Sequence, residues 1–192
     1  MLQKSRAMFI LTNIFRLGLA VMFLWTCPVA RAAETRPTLL RATILVKDAG
    51  ASIAFYSLLG FRIESDVTNS RTPNANAFPL NAPSMQSRLV IMQSAHGKGG
   101  KIGLLEFSDP TPPSVRGDGE LVGRGDVVFV FDVADAESTH NRLLASHAKV
   151  LEPPQTFVSR QKSSTGKSLT GKVFHVRDPD GYLVELLQAA KP

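Results

Sequence analysis

From residue 41 to 46, apolar and polar side chains alternate as in a half-buried strand, with Ala42, Ile44 and Val46 on one side and Arg41, Thr43 and Leu45 on the other. Asp48 follows, then an apolar stretch over 51–59 that predicts a helix, ended by Gly60. Phe61-Arg62-Ile63-Glu64 starts a second strand. Two more are predicted over 88–93 and 101–108, joined by a turn at 97–100. The second half repeats the order. A strand over 126–132 carries Phe129 and Phe131 on one side. A helix opens at Asp135 and runs to about residue 146, and a strand over 149–152 is stopped by Pro153-Pro154. Strands over 172–177 and 182–188 meet at the tight turn Asp178-Pro179-Asp180-Gly181. Each half therefore reads β-α-β-β-β. The final strands share a pattern of residues, Leu104-Leu105-Glu106-Phe107 against Leu183-Val184-Glu185-Leu186. Polar or Pro-rich connections are expected over 67–87, 109–124 and 159–168.

The chain before this repeat has a different character. Residues 1–32 contain Lys4, Arg6, Arg16 and Arg31 and no acid, with the apolar run Leu17-Gly-Leu-Ala-Val-Met-Phe-Leu-Trp25 and the small-residue ending Ala30-Arg31-Ala32. A basic start, a short apolar centre and a small-residue end predict a cleaved secretory signal over 1–32. The apolar run is far shorter than the roughly 20 residues a membrane helix needs. The expected organisation is a signal at 1–32, a linker at 33–38 and one domain over 39–192, built from modules 39–108 and 125–190. An exported product, periplasmic or secreted, follows. The signal accounts for most of the formal charge of +6, since it takes four of the 22 bases and none of the 16 acids, leaving +2. That balance predicts no broad basic face, hence no nucleic-acid partner and no lasting membrane association. Cleavage before Ala33 also removes Cys27, the single cysteine. The mature chain then has neither disulfide nor thiolate, and any metal would rest on His, Asp, Glu or water.

Val46-Lys47-Asp48 followed by Phe55-Tyr56-x-x-Leu59-Gly60-Phe61, together with the ending Asp178-Pro179-Asp180-Gly181-Tyr182-x-x-Glu185-Leu186, resembles the vicinal oxygen chelate superfamily. Glyoxalase I, extradiol dioxygenases, fosfomycin-resistance enzymes and bleomycin-binding proteins belong to it. The resemblance spans about 39–188. It implies an α+β fold in which two βαβββ modules pair into an open, cup-shaped mixed sheet with helices outside. It also implies a small oxygen-rich ligand in the cup, held in many members by a divalent metal acting as Lewis acid. Fold and function are separable, because this architecture carries many reactions.

The resemblance implies metal ligands on the first and last strands of each module. Members place a first His where this chain has Arg41, and often a second at the position that Asp126 is expected to occupy. The resemblance places Glu106 and Glu185 at the carboxylate positions. Strand alternation adds Thr43, His175 and Arg177 to the expected cup face. Arg41 cannot ligate a metal, because its guanidinium has no acceptor. Two readings follow. In the first, which is favoured, Arg41 fills the metal position as the cation that neutralises the carboxylates. The cup is then metal-free, with Arg41, Thr43, Asp126, His175 and Arg177 holding the ligand and Glu106 or Glu185 handling protons. In the second, Glu106, Asp126 and Glu185 hold a divalent ion in a glyoxalase-type lyase, isomerase or dioxygenase. The oxygen-rich set would suit Mn²⁺ or Mg²⁺ better than Zn²⁺. Whether the product is an enzyme or a binding protein stays open, as does monomer against homodimer. Arg160, Lys162 and Lys167 are expected on a solvated loop, and His140 and His147 on the polar face of the second helix.

Overall fold

The computed structural model describes residues 38–70, 80, 84–95, 100–114, 121–162, 166 and 168–190, with only the backbone given for 161 and 162. The proposed signal, the turn at 97–99, His96 and Lys167 lie outside these, as does the side chain of Lys162.

The first module runs β1 (Ala42–Val46), α1 (Ala49–Leu58), β2 (Phe61–Ser70), β3 (Gln86–Ser94) and β4 (Lys101–Ser108). The second runs β5 (Val128–Asp132), α2 (Ala136–Ala145), β6 (Lys149–Val150), β7 (Gln155–Lys162), β8 (Ser168–Arg177) and β9 (Leu183–Ala189). Sheet order is β1-β4-β3-β2 in one, and β5-β9-β8 with β6 and β7 both on β8 in the other. In each, the first strand is parallel to the last and the remaining pairs are antiparallel. The α+β architecture of two mixed sheets is therefore the expected one, and it does not close into a barrel.

Two segments differ from expectation. The second strand continues to Ser70 through a bulge between Ile63 and Ser65, so the connection begins later than residue 67. Beyond Pro153-Pro154 the chain returns to β8 as β7, which extends into residues 159–162 of the stretch 159–168 expected to be a loop. The two prolines interrupt the ladder because they have no N–H to donate, and they split one strand into β6 and β7.

Both helices start the same way. Asp48 Oδ1 accepts from the backbone N–H of Gly50 (2.8 Å) and Ala51 (3.1 Å), and Asp135 Oδ1 accepts from Ser138 N–H (3.1 Å). A side chain from the last strand satisfies one more N–H. Ala49 N–H donates to Glu106 Oε2 (3.0 Å) and Ala136 N–H donates to Gln188 Oε1 (2.9 Å). Gly60, at φ +88°, turns the chain out of α1 in a conformation that disfavours any residue with a Cβ.

The helix sides of the sheets form a single core. Ile44, Val46, Tyr56, Phe61, Val90, Met92 and Leu104 from the first module join Phe129, Leu143, Phe174, Val176, Val184 and Leu186 from the second. Phe61 and Phe131 meet edge to face across the modules with centroids 5.2 Å apart, and Tyr56 meets Phe131 at 6.3 Å. The turn at 178–181 is more than a hairpin connection. Buried Asp178 accepts from Tyr56 Oη (2.9 Å) through Oδ2, and from the N–H of Asp180 (3.0 Å) and Tyr182 (2.7 Å) through Oδ1. Asp180 accepts from Lys47 N–H (2.7 Å) and Ser52 Oγ (3.2 Å). A turn of the second module thus grips α1 of the first. Burial pushes Asp178 above the usual carboxylate range, against the opposing hydrogen bonds from Tyr56 and the backbone. Burial and the adjacent Asp178 push the Tyr56 phenol so far up that it stays protonated while folded. No helix among the described residues is long and apolar enough to cross a membrane.

Candidate functional site

Register fixes the face on which each proposed site residue lies. Thr43 pairs with Gly103, and Val130 pairs with Glu185. Ile91 pairs with Gly103, and His175 with Glu185. These residues all lie on the faces away from the helices. Glu106 does not. It pairs with Val46 and follows the parity of Ile102 and Leu104, so it sits on the helix side and its carboxylate serves the start of α1. The expected inward face for Glu106 is therefore corrected. The shared residue pattern of the two last strands misaligns them by three positions. By backbone register and by helix capping, the counterpart of Glu106 is Gln188, and the counterpart of Glu185 is Gly103.

Asp126 also differs. It lies before β5, and its Oδ2 accepts from Gly123 N–H (2.6 Å), which ties it into a local turn. Counting seven residues back from the capping Asp135, as Arg41 stands to Asp48, gives Val128 rather than Asp126. Arg41 is exposed and donates from Nε to Thr43 Oγ1 (3.0 Å). Thr43 in turn lies over Gly103, where a Cβ would fall 2.6 Å from its Oγ1.

The structure does bring His175 and Glu185 together, and it adds a residue the sequence did not suggest. His175 Nδ1 meets Glu152 Oε1 at 2.5 Å, and His175 Nε2 meets Glu185 Oε2 at 3.4 Å. All three side chains are about 30% exposed. Glu152 arrives from the bend between β6 and Pro153. Leu151 N–H donates to the His175 carbonyl (3.0 Å) and holds that bend against β8. Two residues further along β8, Arg177 is buried and donates from Nη1 to the Gly181 carbonyl (2.9 Å). Val130 flanks Glu185, and Val173 shares the His175 face, so the trio has an apolar surround open to solvent on one side. Arg160 is exposed on β7, and His140 packs edge to face on Phe174 at 5.4 Å.

The carboxylates proposed as metal ligands do not converge. Glu106 is committed beneath α1, Asp126 to its turn and Glu185 to His175. The two acids of the trio sit on opposite ring nitrogens, so they do not face a common point. Among the described residues no group of three or more His, Cys, Asp or Glu is placed to hold a metal. These donors do not fit a divalent ion.

A separate cavity of about 780 Å³ opens between the modules. It is walled by the starts of β1 and β4, the end of α1, the length of β5 and the first turns of α2. Arg41 lines it, whereas Glu152, His175, Arg177 and Glu185 do not.

Two four-to-five-stranded mixed sheets, each βαβββ and joined through one core, define a glyoxalase-like fold. The chain belongs to the Glyoxalase/Bleomycin resistance protein/Dioxygenase superfamily, whose sequence model matches residues 38–186. A glyoxalase family protein of Bacillus cereus is similar in structure, with a TM-score of 0.61 at 20% identity, over 83% of this chain and 100% of that one. The trypanothione-dependent glyoxalase I of Leishmania major is similar at a TM-score of 0.51 and 17% identity, over 80% and 87% of the two chains. These likenesses show the fold. No curated protein matches the sequence.

Proposed function

We propose that this protein binds a small oxygen-bearing molecule on the open face of its second sheet, and that His175 moves a proton there without a metal. The observation that carries the reading is the imidazole held between Glu152 and Glu185. Glu152 accepts the Nδ1 proton and fixes the ring's orientation and tautomer. That leaves Nε2 as an unprotonated acceptor, 3.4 Å from the Glu185 carboxylate, which can share a proton once Nε2 takes one. That pair can take a proton from a carbon beside a carbonyl, with the electron pair delocalised onto the carbonyl oxygen, and return it to the same or the neighbouring atom. Val130 and Val173 supply apolar contact. The chain is further read as exported, on the pattern of residues 1–32.

Deuterium exchange in D₂O, followed by NMR with EDTA present, tests this on a panel of 2-oxo acids and 2-hydroxy ketones. The expected result is protein-accelerated exchange at the carbon next to the carbonyl of at least one compound. His175→Gln and Glu185→Gln should each slow it by about 100-fold or more, with unchanged urea unfolding midpoints. Exchange no faster than in buffer across the panel, or undiminished exchange in both variants, overturns the reading.

A further inference from the structure

The cavity between the modules is a second, chemically different place, and its lining specifies an occupant. Leu58, Phe61 and Ile102 face it from the first module, and Phe129 and Phe131 from the second. At about 780 Å³ it falls within the range that accepts a small organic molecule. Charged groups enter at its margins. Lys101 is already paired with Glu64 at 2.6 Å, and Arg142 donates to the hydroxyls of Ser138 (3.2 Å) and Thr139 (3.1 Å). Asp135 is occupied at the start of α2. Asp132 is exposed at the end of β5. Arg41 differs from these. Among the described residues it donates only from Nε, so both terminal nitrogens of its guanidinium are uncommitted at the edge of an apolar space.

We infer that this cavity binds an apolar anion, an aromatic or aliphatic body carrying one carboxylate or sulfonate, with Arg41 as the anion's partner. The fork of Nη1 and Nη2 matches two acceptor oxygens of such a group. The aromatic and aliphatic walls take the body. Arg41 thereby acquires a ligand role apart from any exchange of charge with Glu106, Asp126 and Glu185, none of which lines the cavity. The inference does not depend on the proton chemistry at His175.

Two fluorescent probes that differ by one group test it: 8-anilinonaphthalene-1-sulfonate and the same molecule without its sulfonate, N-phenyl-1-naphthylamine. Saturable binding of one sulfonate probe per chain is expected, with the neutral probe binding more weakly. Arg41→Leu should weaken the sulfonate probe about tenfold or more and leave the neutral one within twofold. Arg41→Lys should retain most of the affinity. Ser57→Trp, on the cavity wall at an exposed position of α1, should weaken both probes, and a native melting temperature confirms that this variant is folded. His175→Gln should bind both as the native protein does, which separates this result from the fate of the exchange reaction. The inference is overturned by unsaturable binding, by equal loss of both probes in Arg41→Leu, by no loss in a folded Ser57→Trp, or by a dimer that forms and excludes the probe.

Discussion

The two modules are built on one plan and carry different chemistry on the same positions. Where the second sheet has His175 beside Glu185, the first has Ile91 beside Gly103. Where Val130 flanks the acid in one, Thr43 leans over the bare backbone of Gly103 in the other. The first open face continues as Leu105 and Phe107, both buried although they lie outside the main core. The helix side, by contrast, is nearly the same in both, down to an acid or amide of the last strand meeting the first N–H of the helix. The core and caps allow few substitutions, so the helix sides stay alike, whereas the open faces are freer to diverge.

Several changes would break or sharpen this contrast. The largest effect is expected where the modules are clasped. Asp178→Ala leaves Tyr56 Oη and two backbone N–H groups without their buried acceptor, and should lower the unfolding free energy by ~3–5 kcal/mol in urea titration. Asp178→Asn should cost much less, because an amide can accept from the two N–H groups and still donate to Tyr56. Next is the first module's bare position. Gly103→Ala drives a Cβ into Thr43 and should cost ~1–3 kcal/mol. The same change in a Thr43→Ala background should cost well under half of that, a non-additivity that a double-mutant cycle measures.

The capping pair tests whether the halves are equivalent on the helix side. Glu106→Ala and Gln188→Ala should each lose ~1 kcal/mol, with neither change slowing proton exchange in D₂O. A large loss of exchange in Glu106→Ala alone would return that residue to the chemistry.

The smallest effect concerns pH. The bidentate Arg88 guanidinium, at 2.9 and 2.7 Å, holds Asp66 below the usual carboxylate range. A lowered folded pKa gives stability that is complete above the unfolded value of about 4 and is lost as pH falls through the folded value. Both side chains are about one-third exposed, so the contribution is well under 1 kcal/mol. Asp66→Asn should remove that fraction of the acid limb of the stability curve. Asp178 has the opposite sign. Its folded pKa is raised, so its contribution is complete below the unfolded value and is lost as pH rises through the folded one.

The sequence made much of the architecture legible. Alternation over 41–46, the aspartates before two apolar helices and the Asp-Pro-Asp-Gly turn identify both modules, because each is a local signal with a local cause. The positions of the chemistry were less legible. The pattern Leu-Leu-Glu-Phe against Leu-Val-Glu-Leu suggested that Glu106 and Glu185 are equivalent. Face depends on pairing with a strand some sixty residues away in the chain, and that pairing shifts the correspondence by three. Asp126 looked like the start of a strand because Val127 and Val128 follow it, yet its carboxylate closes a turn with Gly123. Glu152 was invisible as a partner for His175, because 23 residues separate them and the prolines beside it advertise only an interruption. His175 and Glu185 are legible as cup-facing because alternation along each strand sets the face, while their pairing across the hairpin comes from the structure.

The grip of residues 178–181 on α1 has a practical consequence. The halves share one core and the polar bonds of the 178–181 turn, of which Tyr56 to Asp178 is buried, so the peptide between them is not what keeps them together. Two separately expressed fragments, cut near residue 115, should find each other and assemble into the intact shape.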